Sequence, residues 1–383
     1  MNGGVAAYDF APMLGVLGAG VCVALLPLTW FWTRRRGLGA AGRLHALALL
    51  VLFLSFDLVL LGAFTRLSDS GLGCPDWPGC YGHASPLGAH ASIASAAAAV
   101  PTGPVTAHKA WIEMAHRYSA TAIGFLVIVL VVLAVRESRR PGSAVSPKWA
   151  FLTLAWICVQ GAFGAWTVTM RLYPAIVTLH LLGGLGLLAL LALQAERYAP
   201  RGLALAPALR AGLVVVAALT VAQAALGGWV SSNYAVLACR DFPTCQGAWW
   251  PDMDIGQAFV VRRPLGAGGN GDFLGFPALT AIHMAHRLGA LVLLPALGWL
   301  AWRLHATGGE ARRWAFVLLA LIAWQTASGL GNVLLGWPLV VAVAHTAGAA
   351  ALVVVLTILL ARSASVRQTR SSRNGSGTPA LAS

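Results

Sequence analysis

The sequence predicts an all-α polytopic membrane protein: two tandem, parallel four-helix bundles plus one extra N-terminal transmembrane helix, nine spans in all. Three observations carry this. The 383 residues are 58% hydrophobic and only 10% charged, with mean hydropathy +0.75, where a soluble domain carries about 25% charged residues. The apolar runs reach the roughly 20 residues that a helix needs to cross the hydrocarbon. The chain also writes one short stretch twice, Glu113-Met114-Ala115-His116-Arg117 and His283-Met284-Ala285-His286-Arg287.

The nine runs fall at about 11–32, 44–65, 112–135, 149–169, 174–195, 209–231, 281–302, 314–334 and 339–361. The first lacks a basic leader and is followed by Arg34, Arg35 and Arg36, so it reads as a retained span rather than a signal peptide. Most basic residues fall in one alternating set of connections. These hold Arg34, Arg35, Arg36 and Arg43; Arg136, Arg139, Arg140 and Lys148; Arg197, Arg201 and Arg210; Arg303, Arg312 and Arg313; and the tail with Arg362, Arg367, Arg370 and Arg373. The positive-inside rule then places the N-terminus outside and the C-terminus in the cytoplasm of a bacterial inner membrane. The long loops 66–111 and 232–280 face outward. The net charge of +14 does not indicate nucleic acid, because the basic residues do not interleave with aromatics along one surface.

The expected domains are 1–43, the extra helix and a basic loop; 44–196, the first half; 209–361, the second half; and 362–383, a disordered cytoplasmic tail rich in Ser, Arg, Gly and Thr. Cys22 in span one reads as a small core residue. Asp57 in span two is an acid at membrane depth, either structural or beside a polar site, and such residues usually face the bundle interior.

The repeat extends well beyond the duplicated stretch. Cys74-Pro75-Asp76-Trp77-Pro78-Gly79-Cys80 matches Cys239-Arg240-Asp241-Phe242-Pro243-Thr244-Cys245 as C-x-D-x-P-x-C, 165 residues later. The same offset relates Gln160 to Gln325 and His180 to His345. The duplicated stretches are 170 apart because the second loop is five residues longer. A shared spacing through loops and spans marks a duplicated four-helix unit. Four spans is an even number, so the copies lie parallel, related by a pseudo-twofold axis along the membrane normal. Segments 81–110 and 246–278 read as irregular outer caps with short surface helices.

Both cysteine pairs sit in outward loops, where disulfides persist. The Cys74-Cys80 and Cys239-Cys245 pairs read first as short-loop disulfides. A metal site is the rival, although zinc motifs show tighter spacing and a second ligand pair. Cys158 and Cys22 lie in spans and read as inert.

A lone histidine in a membrane helix usually bonds a neighbouring helix. The repeat changes that weighing. His116 and His286 stand at matched positions near the outer ends of spans three and seven, and His180 and His345 near those of spans five and nine. Helix-borne ligands build cofactor sites in bundle interiors, and two neutral imidazoles fill both axial positions of a haem iron. The reading is two bis-histidine haem sites, one per half. Arg117 and Arg287 then match the carboxylate geometry of haem propionates, or simply anchor the helix at the interface. Glu113 stands where copy two has His283, one turn before the ligand and on its face. A carboxylate near a haem in a low-dielectric bundle serves as a proton donor, base or cation stabiliser; the plainer reading is a helix-end acid. His45, His83, His90, His108 and His305 read as solvated.

Several motifs resemble the haem A synthase family: Gly62-Ala63-Phe64-Thr65-Arg66-Leu67-Ser68-Asp69-Ser70-Gly71-Leu72-Gly73 running into the Cys74–Gly82 loop, the two five-residue stretches, Thr178-Leu179-His180 and Ala344-His345-Thr346. The resemblance covers roughly 44–361. The extra first span departs from the usual eight-helix pattern and is similar to longer Gram-negative versions. The resemblance implies oxidation of the C8 methyl of haem O to a formyl group, giving haem A for cytochrome c oxidase, with water as the oxygen source and two successive oxidations. It implies haem b on His286 and His345, substrate haem O on His116 and His180, and Glu113 as the catalytic carboxylate, stabilising a carbocation formed at the methyl. Cys74 and Cys80 match the family's first-loop pair, and Cys239 and Cys245 the third-loop pair. Haem O synthase would act upstream, and a membrane electron acceptor would reoxidise the protein. A homo-oligomer is open. Without the resemblance, the residues alone give a duplicated bis-histidine membrane haem protein. Its rival functions are electron transfer to or from quinone and haem transport or delivery.

Overall fold

A computed structural model describes residues 9–269 and 271–375, and all its regular structure there is helical. Nine of its helices are long and apolar enough to cross a membrane. They are α1 (Ala11–Arg34), α2 (Ala40–Leu67), α4 (Ala107–Ser138), α5 (Lys148–Thr169), α6 (Pro174–Tyr198), α7 (Pro207–Ser232), α9 (Phe276–Thr307), α10 (Gly309–Leu334) and α11 (Leu339–Gly375). The short α3 (His90–Ala99) and α8 (Ile255–Ala258) lie in the two long loops. The protein is a multi-pass membrane protein.

The helices overrun the apolar runs because nothing in the flanks stops them. Backbone hydrogen bonding continues through polar residues until glycine or proline intervenes. Between α9 and α10, Gly308 and Gly309 take φ of 78° and 54°, which costs a glycine little. Helix α11 runs on past the last apolar run for the same reason. No glycine or proline occurs between Ala361 and Gly375, and α11 continues through that stretch. Residues 376–383, and the first eight residues expected as an outer tail, lie outside the described residues.

Each half is a ring of four helices. In the first, α2 packs on α4 and α6, and α5 on α4 and α6; in the second, α9 packs on α7 and α10, and α11 on α7 and α10. Helices α6 and α11 cross between the halves. Leu185 and Leu188 share a core cluster there with Ala350 and Val353, their own counterparts 165 residues on. The cap end repeats the pattern. Arg66 donates to the Ser231 carbonyl at 2.6 Å and lies 4.1 Å from the Tyr234 ring centre, and the Tyr234 hydroxyl donates to Asp69 at 2.6 Å. Positions 66 and 231, and 69 and 234, are again repeat partners. Equivalent positions touch each other only where a twofold axis passes. At the opposite end Arg362 bridges Glu196, at 2.9 and 2.7 Å, and Glu310, at 2.6 Å.

Helix α1 packs on α4. Its Val16 joins Cys74, Cys80 and Met114 in the apolar cluster beneath the first cap. Cys22 is exposed on α1, not a core residue, and Cys158 is exposed too. Asp57 is also exposed, on the outer side of α2 with Phe53, and not turned into the bundle.

Candidate haem-ligand sites and their caps

Each cap is built by its own aspartate. Asp76 accepts from the backbone N–H of Tyr81 at 2.6 Å and of Gly82 at 2.8 Å. Asp241 accepts from Gln246 at 2.7 Å and Gly247 at 3.0 Å, and from the Thr244 hydroxyl at 2.5 Å. The residues so held turn left-handed: Tyr81 and Gly82 at φ 49° and 71°, Gln246 and Gly247 at 56° and 75°. Such backbone persists only where its surroundings over-determine it. The carboxylate does this from one side. The disulfides Cys74–Cys80 and Cys239–Cys245 do it from the other, with Cα atoms 4.9 and 4.7 Å apart. The rival metal reading of the cysteines has no place in a bonded pair.

The arginines of the duplicated stretch reach up into these caps. Arg117 donates to the carbonyls of Asp76 at 2.8 Å, Pro78 at 3.2 Å and Gly79 at 2.5 Å. Arg287 donates to Thr244 at 2.9 Å, Cys239 at 3.2 Å and Asp241 at 2.9 Å. A guanidinium is a fan of donors, and both fans are turned onto cap carbonyls.

Position 113 serves the cap as well. Glu113 is 3% exposed; it pairs with Arg117 and accepts from the Cys74 N–H at 2.8 Å. His283, its counterpart, lies with Nδ1 3.4 Å from the Cys239 nitrogen. One helix position thus holds the first cysteine of the disulfide in both halves, with a carboxylate in one and a long imidazole contact in the other.

One turn below lie the four paired histidines, all half-buried. Each ring sits over a glycine of a neighbouring helix. A Cβ at Gly62 would come within 2.9 Å of His116 Cε1, at Gly227 within 3.1 Å of His286, at Gly329 within 3.3 Å of His345, and at Gly164 within 3.6 Å of His180. Gly62 and Gly227, and Gly164 and Gly329, are repeat partners.

These residues fit an iron. The ring centres of His286 and His345 are 6.4 Å apart at an interplanar angle of 80°. A metal–imidazole bond is about 2 Å and the ring centre lies roughly 1 Å beyond, so two rings sharing one metal sit about 6 Å apart. Among the described residues no protein group bonds Nε2 of any of the four rings. His180 lies within electrostatic reach of His116. The Nδ1 atoms of both are buried without a protein partner. The second half differs: Gln223 Nε2 stands 3.0 Å from His286 Nδ1, and Ser328 Oγ 2.9 Å from His345 Nδ1. Neither Gln223 nor Ser328 was expected. Comparing the repeats position by position exposes them, since they are polar where the first copy has Leu58 and Phe163.

Of the remaining histidines, His83, His90, His108 and His305 are exposed. His45 is corrected: it is half-buried, and its Nδ1 lies 2.9 Å from the Ala195 carbonyl, tying α2 to α6.

Comparison with known proteins agrees with this geometry. The COX15-CtaA profile, described as cytochrome oxidase assembly protein, matches residues 45–357. A heme A synthase of Shewanella oneidensis is 38% identical over 309 residues, 79% of this chain and 91% of the relative. A heme A synthase of Mesorhizobium japonicum is 30% identical, covering 77% and 83%, and one of Halalkalibacterium halodurans is 28% identical, covering 75% and 86%. On the duplicated histidine bundle and this match over most of its length, the chain belongs to the COX15-CtaA family of cytochrome oxidase assembly proteins.

Proposed function

We propose that this chain is a heme A synthase, an oxidoreductase that converts the C8 methyl of haem O to a formyl group. The observation that carries the reading is the paired His286 and His345, spaced for one iron, in a family whose curated relatives bear that name. In this reading His286 and His345 hold a resident haem b and His116 and His180 hold the substrate. With water as the oxygen source, methyl to formyl releases four electrons and four protons. A haem b between His286 and His345 supplies a one-electron relay for their departure to a membrane acceptor.

The chain's own residues do the rest. Each pair of imidazoles presents Nε2 to the iron, and each underlying glycine lets the ring lie close to the neighbouring helix. Glu113 stands one turn above His116 on the same face. It accepts from Arg117 and from the backbone N–H groups of Cys74 and Gly73. The carboxylate therefore offers negative charge and a proton acceptor above the substrate site, while Arg117 and the Cys74 N–H fix its position. The two caps lie over the site ends and shield them from water. The chain sits in the bacterial inner membrane with its caps outside and its C-terminus in the cytoplasm. Haem O synthase supplies the substrate and cytochrome c oxidase assembly takes the product.

The test is a haem extract from cells expressing this chain with a haem O synthase, separated by reverse-phase chromatography. Haem A, or hydroxylated haem O, is expected only when the chain is present. Unchanged haem O beside a haem-loaded protein overturns the reading in favour of an electron carrier.

A further inference from the structure

The two histidine pairs stand at repeat-equivalent positions but have different supports. Ser328 donates its single hydroxyl hydrogen to the Trp324 carbonyl at 2.7 Å. Its lone pair therefore receives Nδ1–H of His345 at 2.9 Å. That fixes the tautomer that leaves Nε2 bare for a metal, the usual arrangement behind a ligating histidine. Gln223 acts beside the other ring: its Nε2 donates to the His286 carbonyl at 2.9 Å and lies 3.0 Å from Nδ1, but an amide nitrogen only donates, so it clamps the helix backbone and does not receive Nδ1–H. The clamp has space because position 289 is glycine, where a Cβ would overlap the Gln223 carboxamide.

The first half lacks the ring support, although Gln160 packs over Gly183 as Gln223 packs over Gly289. Leu58 stands 165 residues before Gln223, Phe163 165 before Ser328, and Ser119 170 before Gly289. Leu58 packs into the core of the first bundle, and Phe163 stacks edge-on with Trp166 at 5.2 Å. A leucine and a phenylalanine cannot bond an imidazole, and His116 and His180 keep Nδ1 unpartnered.

We propose that Ser328 is a positioning residue that locks His345 for lasting iron ligation, and that Phe163, its counterpart in the first half, leaves His180 free to release its haem. This rests on the proposed function for the existence of two haem sites, and adds the reason that one retains and the other exchanges. A substrate site must let its product go. Ligands whose rings are unpinned lose the outer bonds that commonly contribute about 10–100-fold in metal affinity.

The experiment uses the full-length purified protein loaded with haem b, and follows haem transfer to excess apomyoglobin, together with the midpoint potential. The Ser328→Ala variant should release haem about 10–100-fold faster than the parent and shift its potential, a change that loosened packing elsewhere would not produce. Release at the parent rate with an unmoved potential overturns the proposal. If that variant does not fold, the converse decides. In a His286→Ala background, where the first half is the remaining iron site, Phe163→Ser should slow release by a similar factor. An unchanged rate there overturns the proposal too. A His286→Ala protein with full parental haem content overturns instead the assignment of the ligands on which the proposal rests.

Discussion

The two caps are one design executed with different chemistry. In both, an aspartate closes the loop, a disulfide pins its base, and an arginine gathers its carbonyls. They part at position 113. The first cap rests on a buried carboxylate paired with Arg117 and bonded to Cys74 at 2.8 Å; the second rests on an imidazole 3.4 Å from Cys239. A duplicated structure can keep its architecture on either residue. The carboxylate is therefore not required by the fold. In the proposed reading, its presence in one half marks the half where charge and proton transfer are needed.

The largest separation between the halves should come from the ligands. His286→Ala or His345→Ala should lose the tightly bound haem, whereas His116→Ala keeps it and loses turnover. Haem per protein, set beside product chromatography, measures this. Equal haem loss from both halves would break the comparison.

Glu113→Ala should come next. Removing one partner of a buried ion pair costs about 3–5 kcal/mol, and it also orphans the Cys74 N–H. The protein should melt earlier, retain its haem and stop forming product. Normal haem A from this variant would sink the catalytic role. His283→Ala removes neutral contacts to the backbone of Cys239 and Ala235 and should cost about 1 kcal/mol, so the two melting shifts should be clearly unequal.

The glycines under the rings should follow in order of their clearance. Gly62→Ala, with 2.9 Å available, should displace its histidine most, and Gly164→Ala, with 3.6 Å, least. Loss of haem loading and broadening of the haem absorption bands would report it; equal effects at both sites would deny that the rings are seated there.

The smallest effect is electrostatic and local to the second cap. The Thr244 hydroxyl, with the Gly247 and Gln246 N–H groups, holds the Asp241 carboxyl at about 2, below its ordinary 3.8. A depressed carboxyl stabilises the fold above its unfolded value and loses that contribution as pH falls through the folded one. Amide-exchange protection at Gln246 and Gly247 should therefore hold from pH 7 down to about 4 and fade from there toward about 2. Protection that does not change across that window would separate the aspartate from the cap's stability.

Much of this was legible in the residues. Span count and repeat follow from hydrophobic length and the 165-residue offset, because a membrane helix has to satisfy its own backbone and is specified locally. The four histidines were legible because duplication lifts them above the ordinary polar contacts of membrane helices. The cap contacts of the arginines were not. A guanidinium suits many acceptors, and only the folded cap shows that the backbone carbonyls of the C-x-D-x-P-x-C loops are within its reach. Cys22 and Asp57 were misplaced in expectation because hydrophobicity gives depth along a span but not the direction a side chain faces when every neighbour is apolar.

The sequence by itself determined the helices, their duplication and the choice of four candidate ligands, since each depends on local composition or on a repeated pattern. Only the tertiary structure decided what holds those ligands. Gln223 reaches His286 across 63 positions and Ser328 reaches His345 across 17, and a bond between helices exists only once their packing has set the distance.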